Sequence, residues 1–369
     1  MFETRLNRLR LALQRELFDA LALIPGPTLV HTAGTSFHLM ERPVVLLVTP
    51  GSEPPVLILP EFERSKGETS PLRPTLFTYG EDPAERAPAF AAAVRHAGLA
   101  GKRIGVESLR MRFLELRLLE AAAPGASFVA ADSLVTELRI LKDEAELAAM
   151  RRAVRAAEQA FEATVPQLRP GMTEREAASE LTLQLLRAGS DSELPFAPIV
   201  ASGPNSALPH ATPTDRRLQR GDFVVVDWGA TVDGYVSDLT RTLAFEPVDP
   251  ELARVHAIVL EANQAGRQAV RPGATCSDVD HAARRVIEAA GFGPQFTHRT
   301  GHGIGMEAHE PPYIRGDNAE LLAPGMTFTV EPGIYLTGRG GVRIEDNVVV
   351  TSQGGESLSA LSRELRGVG

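Results

Sequence analysis

The sequence contains little cysteine and lysine, and it has no long apolar run. Its single cysteine, Cys276, excludes an internal disulfide and a thiolate metal cluster. The longest apolar runs, such as Val44–Val48, are far too short to span a bilayer. The first residues carry charges through their apolar pattern, which is typical of an amphipathic helix and not of a signal peptide. We therefore expect a cytoplasmic protein with no membrane association.

Positive charge is also scarce relative to negative charge. The chain has 38 Lys and Arg residues against 47 Asp and Glu residues, a net charge of −9, and no basic stripe. This balance argues against a nucleic-acid partner and against an anionic membrane surface. A chain of 369 residues is long enough to form two domains that each bury a core.

We expect a mixed α/β domain over residues 1–135 and a second domain over residues 136–369. The elements predicted in the first part are a helix over 2–18, strands over 20–24, 44–48 and 56–59, a helix over 83–97, a strand over 103–106 and a helix over 110–122. This alternation predicts a mixed sheet with helices on its faces. Helix-forming residues then run from Leu134 to Ala163, which places the boundary near 133–142.

The second part contains an internal repeat. Arg169-Pro170-Gly171-Met172-Thr173 and Arg271-Pro272-Gly273-Ala274-Thr275 each precede a predicted helix of the same length that ends at a glycine. Each Thr is a predicted N-cap, with an acidic residue, Glu176 or Asp278, three positions later. The pattern favours a duplicated α/β unit with pseudo-twofold symmetry, and ligands often bind where such halves meet.

Two β-rich runs within Val224–Arg241 flank the dipeptide Asp233-Gly234. Asp-Gly is a strong hairpin signal, because both central residues of a type I′ turn need a positive φ. A turn there pairs Asp227 with Thr240 and directs Asp227 and Asp238 to the same face. The two carboxylates repel each other unless a cation lies between them. Two solvated aspartates at the ends of an exposed hairpin are the alternative.

Three later clusters carry further candidate ligands: Gly301-His302-Gly303-Ile304-Gly305, Val330-Glu331-Pro332-Gly333 and Arg343-Ile344-Glu345-Asp346. Each cluster alone is a weak signal, since a Glu at a strand end is usually solvated. Asp227, Asp238, Glu331 and Glu345, with His302 neutral, carry four negative charges in or beside predicted buried strands. Two divalent cations would balance that charge. This oxygen-rich set favours Mn, Co or Fe(II), and two such ions can activate water and polarise a carbonyl, as in a metal-dependent hydrolase.

These motifs resemble the Xaa-Pro peptidases, prolidase and aminopeptidase P, over about residues 140–360. The resemblance implies an α/β (α+β) protein: a pita-bread catalytic domain with pseudo-twofold duplicated α/β units, preceded by a smaller creatinase/prolidase-like domain. It implies two divalent metal ions, Mn(II) or Co(II), with Zn or Fe(II) as alternatives. The implied metal ligands are Asp227, Asp238, His302, Glu331 and Glu345, of which Asp238 and Glu345 bridge both ions.

The resemblance also implies roles for residues beside the metals. Glu331 is the implied proton shuttle. His210, in Leu208-Pro209-His210-Ala211, and His309, in His309-Glu310, match two histidines of the family that are not ligands, and His309 helps to stabilise the tetrahedral intermediate. Tyr335 and Arg343 match positions next to the ligands.

The expected activity is hydrolysis of Xaa-Pro dipeptides by a homodimer. The alternatives are an aminopeptidase P that acts on longer Xaa-Pro peptides and an inactive binding module of the same fold. Two related proteins match less well. Creatinase shares the fold but lacks this ligand set, and methionine aminopeptidase shares the ligands but usually lacks the large N-terminal domain. A dipeptide ends in a carboxylate, and we expect Arg42, in the turn-rich segment before Val44–Val48, to bind it. A surface Arg42 paired with Glu41 is the alternative.

Overall fold

The computed structural model describes Met1–Val368. The chain forms two compact units, and the boundary between them in the sequence lies between Arg139 and Ile140. The helices are α1 (Phe2–Arg15), α2 (Pro27–Ala33), α3 (Arg64–Glu68), α4 (Arg86–His96), α5 (Phe113–Ala122), α6 (Asp132–Arg139), α7 (Glu144–Thr164), α8 (Glu174–Arg187), α9 (Pro250–Ala269) and α10 (Cys276–Ala289). Across these described residues, no helix combines the length and the apolar composition needed to cross a bilayer.

The strands divide between the two units. Those of the first unit are β1 (Ala20–Leu23), β2 (Val45–Val48), β3 (Val56–Pro60), β4 (Thr75–Tyr79), β5 (Arg103–Val106) and β6 (Ser127–Ala130). Those of the second unit are β7 (Ile199–Ser202), β8 (Phe223–Trp228), β9 (Thr231–Val232), β10 (Tyr235–Val236), β11 (Leu239–Phe245), β12 (Gly301–Gly303), β13 (Glu310–Ile314), β14 (Thr327–Val330), β15 (Gly333–Leu336), β16 (Gly340–Arg343), β17 (Asp346–Thr351), β18 (Gly354–Ser357) and β19 (Arg366–Val368).

The first unit contains the expected mixed sheet. Its six strands follow the order β4-β3-β2-β1-β5-β6, and β1 pairs antiparallel with β2 and parallel with β5. Strands β1, β2 and β3 are buried along their whole length, because apolar clusters cover both faces of the sheet. The sequence patterns did not predict α2, α3, β4 and β6, which are short or carry polar residues.

The predicted helical run from Leu134 to Ala163 is wrong as a single element. Helix α6 ends at Arg139, and α7 begins at Glu144. Asp143 caps α7, since its side chain accepts a hydrogen bond from the Glu146 amide while the Glu146 carboxylate accepts one from the Asp143 amide. Leu141 forms an antiparallel bridge with Met326. A capping box and a β-bridge therefore interrupt a sequence of good helix formers.

The duplication is visible in the second unit. Helices α8 and α10 have the same length, and Thr173 and Thr275 close a capping box at the start of each. Two sheets accompany the helices, with orders β19-β11-β8-β7 and β13-β12-β14-β17-β18. Each sheet contains a central antiparallel strand pair, β8–β11 in one and β14–β17 in the other. These two pairs lead to the acidic residues predicted to form the site.

The predicted hairpin is confirmed, with one interruption. Asp233 and Gly234 have φ values of 53° and 75°, and Asp227 lies opposite Thr240. The ladder breaks between β8–β11 and β9–β10, where Gly229 approaches the other strand closely. A Cβ atom on Gly229 would lie 2.0 Å from the carbonyl oxygen of Ser237. The hairpin therefore requires glycine between its two aspartates.

Candidate metal centre

The five predicted ligands come from strand ends of both sheets in the second unit. Asp227 lies in β8, Asp238 directly before β11, and His302 in β12. Glu331 directly follows β14, and Glu345 directly precedes β17. Although Glu345 lies 118 positions after Asp227 in the sequence, the fold brings the five side chains together in three overlapping groups, each with its ligand atoms within 4.8 Å of one another. The groups are Asp227, Asp238 and Glu345; His302, Glu331 and Glu345; and Asp238, His302 and His309.

Residues beside the ligands fix their orientation. The Thr240 hydroxyl donates to Glu345 Oε2 at 2.6 Å, and the Thr329 hydroxyl donates to Glu331 Oε1 at 3.1 Å. His302 Nε2 lies 3.2 Å from Glu331 Oε1 and 3.7 Å from Asp238 Oδ2. All these contacts are formed by the second unit alone.

The cluster has an excess of negative charge. Burial raises the pKa of Asp238 and Glu345 well above their usual values, and the neighbouring carboxylates raise both further. The pKa of Asp227 is also raised, first by burial, although the Arg343 cation opposes this. Burial likewise opposes ionisation of Glu331, but contact with His302 lowers its pKa to about 2. One guanidinium is too little positive charge for the four carboxylates of this cluster.

The residues fit a pair of divalent cations. Oδ1 of Asp227 is buried and has no hydrogen-bond partner among the described residues, while Oδ2 accepts a hydrogen bond from Arg343. A buried carboxylate oxygen without a donor is costly unless a cation satisfies it. The other atoms that could bind a metal are carboxylate oxygens and one imidazole nitrogen, a set that suits Mn(II), Co(II) or Fe(II).

A chain of hydrogen bonds runs from Asp227 to a histidine that the sequence analysis did not single out. Arg343 contacts Asp227 and donates to the Tyr335 hydroxyl at 2.9 Å. The same hydroxyl lies 2.9 Å from His298 Nε2, and His298 Nδ1 lies 2.7 Å from the Arg299 carbonyl oxygen. Because a carbonyl only accepts, Nδ1 carries the proton and Tyr335 donates to Nε2. Burial raises the pKa of Tyr335 to about 12 and lowers the pKa of His298.

A pocket of about 730 Å³ opens onto the cluster, within the size range of small-molecule sites. His210 and His309 both line it, and both are exposed. The His309 ring lies 3.8 Å from the His302 ring between centroids. Phe196, Ala197 and Ile199 form an apolar part of the wall. One sequence signal could have identified His298. It lies in a polar segment after α10, four residues before the predicted ligand His302.

Arg42 lies in the first unit. It forms ion pairs with Glu41 at 2.8 Å and with Glu81 at 3.2 Å, and its guanidinium lies over the Phe62 ring. These contacts match the surface pairing considered as the alternative. Its role in substrate binding stays a prediction.

Comparison with known proteins identifies related chains over the full length. Residues 148–352 match the model of metallopeptidase family M24, and residues 5–141 match the creatinase/prolidase N-terminal domain. The probable dipeptidase PepE of Mycobacterium tuberculosis is 38% identical over 352 residues, which cover 94% of this chain and 91% of the relative.

Solved structures agree. The prolidase of Thermococcus sibiricus superposes with a TM-score of 0.94 at 31% identity, covering 100% of this chain and 99% of the other. The Xaa-Pro dipeptidase of Bacillus anthracis gives 0.91 at 31% identity, with both chains fully covered. These likenesses confirm the expected pita-bread fold with a creatinase-like N-terminal domain.

Proposed function

The chain belongs to metallopeptidase family M24, and from this premise we propose that it hydrolyses Xaa-Pro dipeptides with two divalent metal ions. The observation that carries the proposal is the convergence of Asp227, Asp238, His302, Glu331 and Glu345 on one buried cluster that opens into a peptide-sized pocket. Relatives with this fold include proteins described as a prolidase and an Xaa-Pro dipeptidase.

We propose that Asp227 would hold one ion, that Asp238 and Glu345 would serve both ions, and that His302 and Glu331 would complete the second site. Mn(II) or Co(II) suits these ligands best, with Zn or Fe(II) as alternatives. When bound, the ions supply a nucleophile at neutral pH and polarise the scissile carbonyl.

The chain's own residues orient the substrate and move protons. Glu331 is fixed by Thr329 and faces the pocket, so it is the group we assign to carry a proton towards the leaving proline nitrogen. His309 Nδ1 lies 3.3 Å from Arg299 Nη2. A guanidinium can only donate, so Nδ1 accepts and the neutral ring keeps its proton on Nε2. That N–H is available to stabilise the negative charge that develops on the carbonyl oxygen.

His210, Tyr335 and Arg343 support the same reaction in this proposal. Arg343 donates hydrogen bonds to the Asp227 carboxylate and to the Tyr335 hydroxyl, so its guanidinium is already paired within the cluster. His210 lines the pocket, and Arg343 donates to the carbonyl oxygen of the preceding Pro209 at 3.1 Å. We therefore assign His210 to substrate contact and Arg343 to ligand positioning.

The alternative activity is that of an aminopeptidase P, which releases the first residue of longer Xaa-Pro peptides. The test compares an Xaa-Pro dipeptide with an Xaa-Pro-Yaa tripeptide in parallel assays of the metal-loaded protein. A higher kcat/KM for the dipeptide supports the proposal, and a higher value for the tripeptide favours the alternative. Hydrolysis of neither substrate, with metal bound, would leave an inactive binding module of the same fold. We place the reaction in the cytoplasm, where peptides from protein turnover would be its substrates.

A further inference from the structure

Arg299 is a polar wall residue of the pocket with an unusual set of contacts. It is half-buried and lines the same space as His302, His309 and Glu331. Its Nη2 atom donates to His309 Nδ1, and its guanidinium lies 4.5 Å from the centroid of the Tyr313 ring. One aromatic face therefore supports the guanidinium, and a single hydrogen bond uses one of its five N–H groups.

Among the described residues, no carboxylate oxygen lies within 4.0 Å of this guanidinium. The buried arginines of the same unit differ, since Arg343 pairs with Asp227 and Arg241 pairs with Asp346. The pocket therefore contains a guanidinium that forms no ion pair with any carboxylate of Met1–Val368. This is the group that a carboxylate on a ligand would complete.

The backbone that carries Arg299 is fixed on both sides. Arg284 donates to the carbonyl oxygen of His298 at 2.9 Å. The amide and hydroxyl of Thr300 donate to Asp280 Oδ1 at 3.0 and 2.8 Å. Asp280 and Arg284 belong to α10 and contact each other. The guanidinium therefore extends from a rigid segment, which reduces the entropy cost of binding.

The order of the side chains along the pocket wall suits a dipeptide. The His302 ring lies 3.8 Å from the His309 ring, and His309 lies 3.3 Å from Arg299. The guanidinium is thus one imidazole away from a metal-ligand side chain. In a dipeptide, the free carboxylate lies one residue beyond the scissile bond, about 3.3–3.6 Å along an extended chain. A longer peptide has a neutral amide at this place.

We propose that Arg299 binds the free C-terminal carboxylate of the substrate and thereby selects dipeptides over longer peptides. This proposal rests on the proposed function and names the residue that carries its substrate preference. Arg42 already has two carboxylate partners, Glu41 and Glu81, whereas Arg299 has none in the part of the chain that the structure describes. In this proposal, the carboxylate of the substrate pairs with Arg299, which lies in the same unit as the metal cluster.

The experiment uses two substrates that differ only in the group of interest, Ala-Pro and Ala-prolinamide. Steady-state kinetics are measured with the metal-loaded wild type and with the Arg299→Leu and Arg299→Lys variants. Arg285→Leu is the matched control, because Arg285 is an exposed arginine of α10 that does not line the pocket. Metal content is measured for every sample. Inhibition of the wild type by L-proline and by L-prolinamide provides a second readout that needs no variant.

We expect Arg299→Leu to lower the ratio of kcat/KM for Ala-Pro to that for Ala-prolinamide by about tenfold or more, mainly through KM for the dipeptide. The ratio for Arg299→Lys should lie between those of the wild type and Arg299→Leu, because lysine keeps the positive charge but lacks the planar, bidentate guanidinium. L-Proline should inhibit more strongly than L-prolinamide.

An unchanged ratio in Arg299→Leu, with kcat reduced equally for both substrates, would overturn the proposal and leave Arg299 as a positioning residue for His309. Equal inhibition by proline and prolinamide would also overturn it. If the metal-loaded wild type hydrolyses neither substrate, the proposed function itself fails. If it hydrolyses both and only the ratio is insensitive to Arg299, the proposed function stands and the inference fails.

Discussion

Small polar residues hold the ligand cluster in place at the residue scale. Thr240 and Thr329 each donate a hydrogen bond to a carboxylate of the cluster. Asn347 bonds both the amide and the carbonyl of Asp238, at 3.1 and 2.7 Å. Partners of this kind commonly change metal affinity 10–100-fold when they are removed. The geometry of the centre therefore depends on residues that carry no charge.

His309 can be tested as a pocket residue that is not a ligand. We expect His309→Ala to retain its metal and to lose turnover by about 10²–10³-fold, as when one donor to an oxyanion is removed. Elemental analysis and kcat for an Xaa-Pro dipeptide are measured on the same samples. The exposed His281 supplies the control, His281→Ala. Loss of metal in His309→Ala would make His309 a ligand, which its proximity to Asp238 and His302 allows.

Glu174 gives the fold a specific dependence on pH. It is fully buried at the start of α8, and it accepts hydrogen bonds from the amide and hydroxyl groups of both Ser202 and Thr214. Burial alone would raise the pKa of Glu174, but these hydrogen bonds outweigh it and lower the pKa. The stability it contributes is therefore present above the unfolded pKa of about 4.3, and it is lost as the pH falls through the lower folded pKa.

We expect Glu174→Gln to lower the free energy of unfolding by about 2–3 kcal/mol at pH 7. The difference from the wild type should begin to shrink below about pH 4.3, where the carboxyl of the unfolded wild type binds a proton, and should be lost as the pH falls through the lower folded pKa. Urea unfolding at several pH values measures both effects. The exposed Glu288→Gln should change stability by less than about 0.5 kcal/mol. A difference for Glu174→Gln that does not vary with pH would contradict this account.

The hairpin formed by β8–β11 and β9–β10 is the element on which the centre depends. Gly229 is the contact point between its strands, because a Cβ would meet Ser237 backbone at 2.0 Å. We expect Gly229→Ala to destabilise the protein by about 1–3 kcal/mol and to reduce metal binding, since the strands that carry Asp227 and Asp238 must separate. Gly51→Ala is the control, because its Cβ would meet no atom within 4 Å. Normal metal content and stability in Gly229→Ala would argue against this dependence.

Elements whose local pattern determined their structure were predictable from sequence. The Asp233-Gly234 turn fixed the hairpin register, and the two Thr N-caps fixed the repeated helices, because turn and capping chemistry act over a few residues. The break between α6 and α7 was not predictable from helix propensity, since a bridge from Leu141 to Met326 forms only in the folded chain. His298 and Arg299 were missed because their contacts form only in the folded chain: His298 contacts Tyr335, and Arg299 contacts Tyr313 and His309.

At the scale of the whole molecule, we predict a homodimer, as the resemblance to the Xaa-Pro peptidases implies. Light scattering should give about twice the chain mass of 39.7 kDa over a wide concentration range. A mass that stays at that of one chain would contradict the prediction. The proposed metal ligands and Arg299 all lie in the second unit, so the proposed centre does not need a partner copy to supply a ligand.

The central claim is that the four carboxylates and His302 form a dinuclear metal centre that cleaves Xaa-Pro dipeptides. Metal content and dipeptide hydrolysis, measured together on chelated and reconstituted protein, test it most directly. We predict about two ions per chain after addition of Mn(II) or Co(II), and no activity after chelation. Asp238→Ala should lose both ions, because its carboxylate is shared, whereas Asp227→Ala should mainly weaken one site. Full activity with no detectable metal, or near-normal metal content in both variants, would contradict the account.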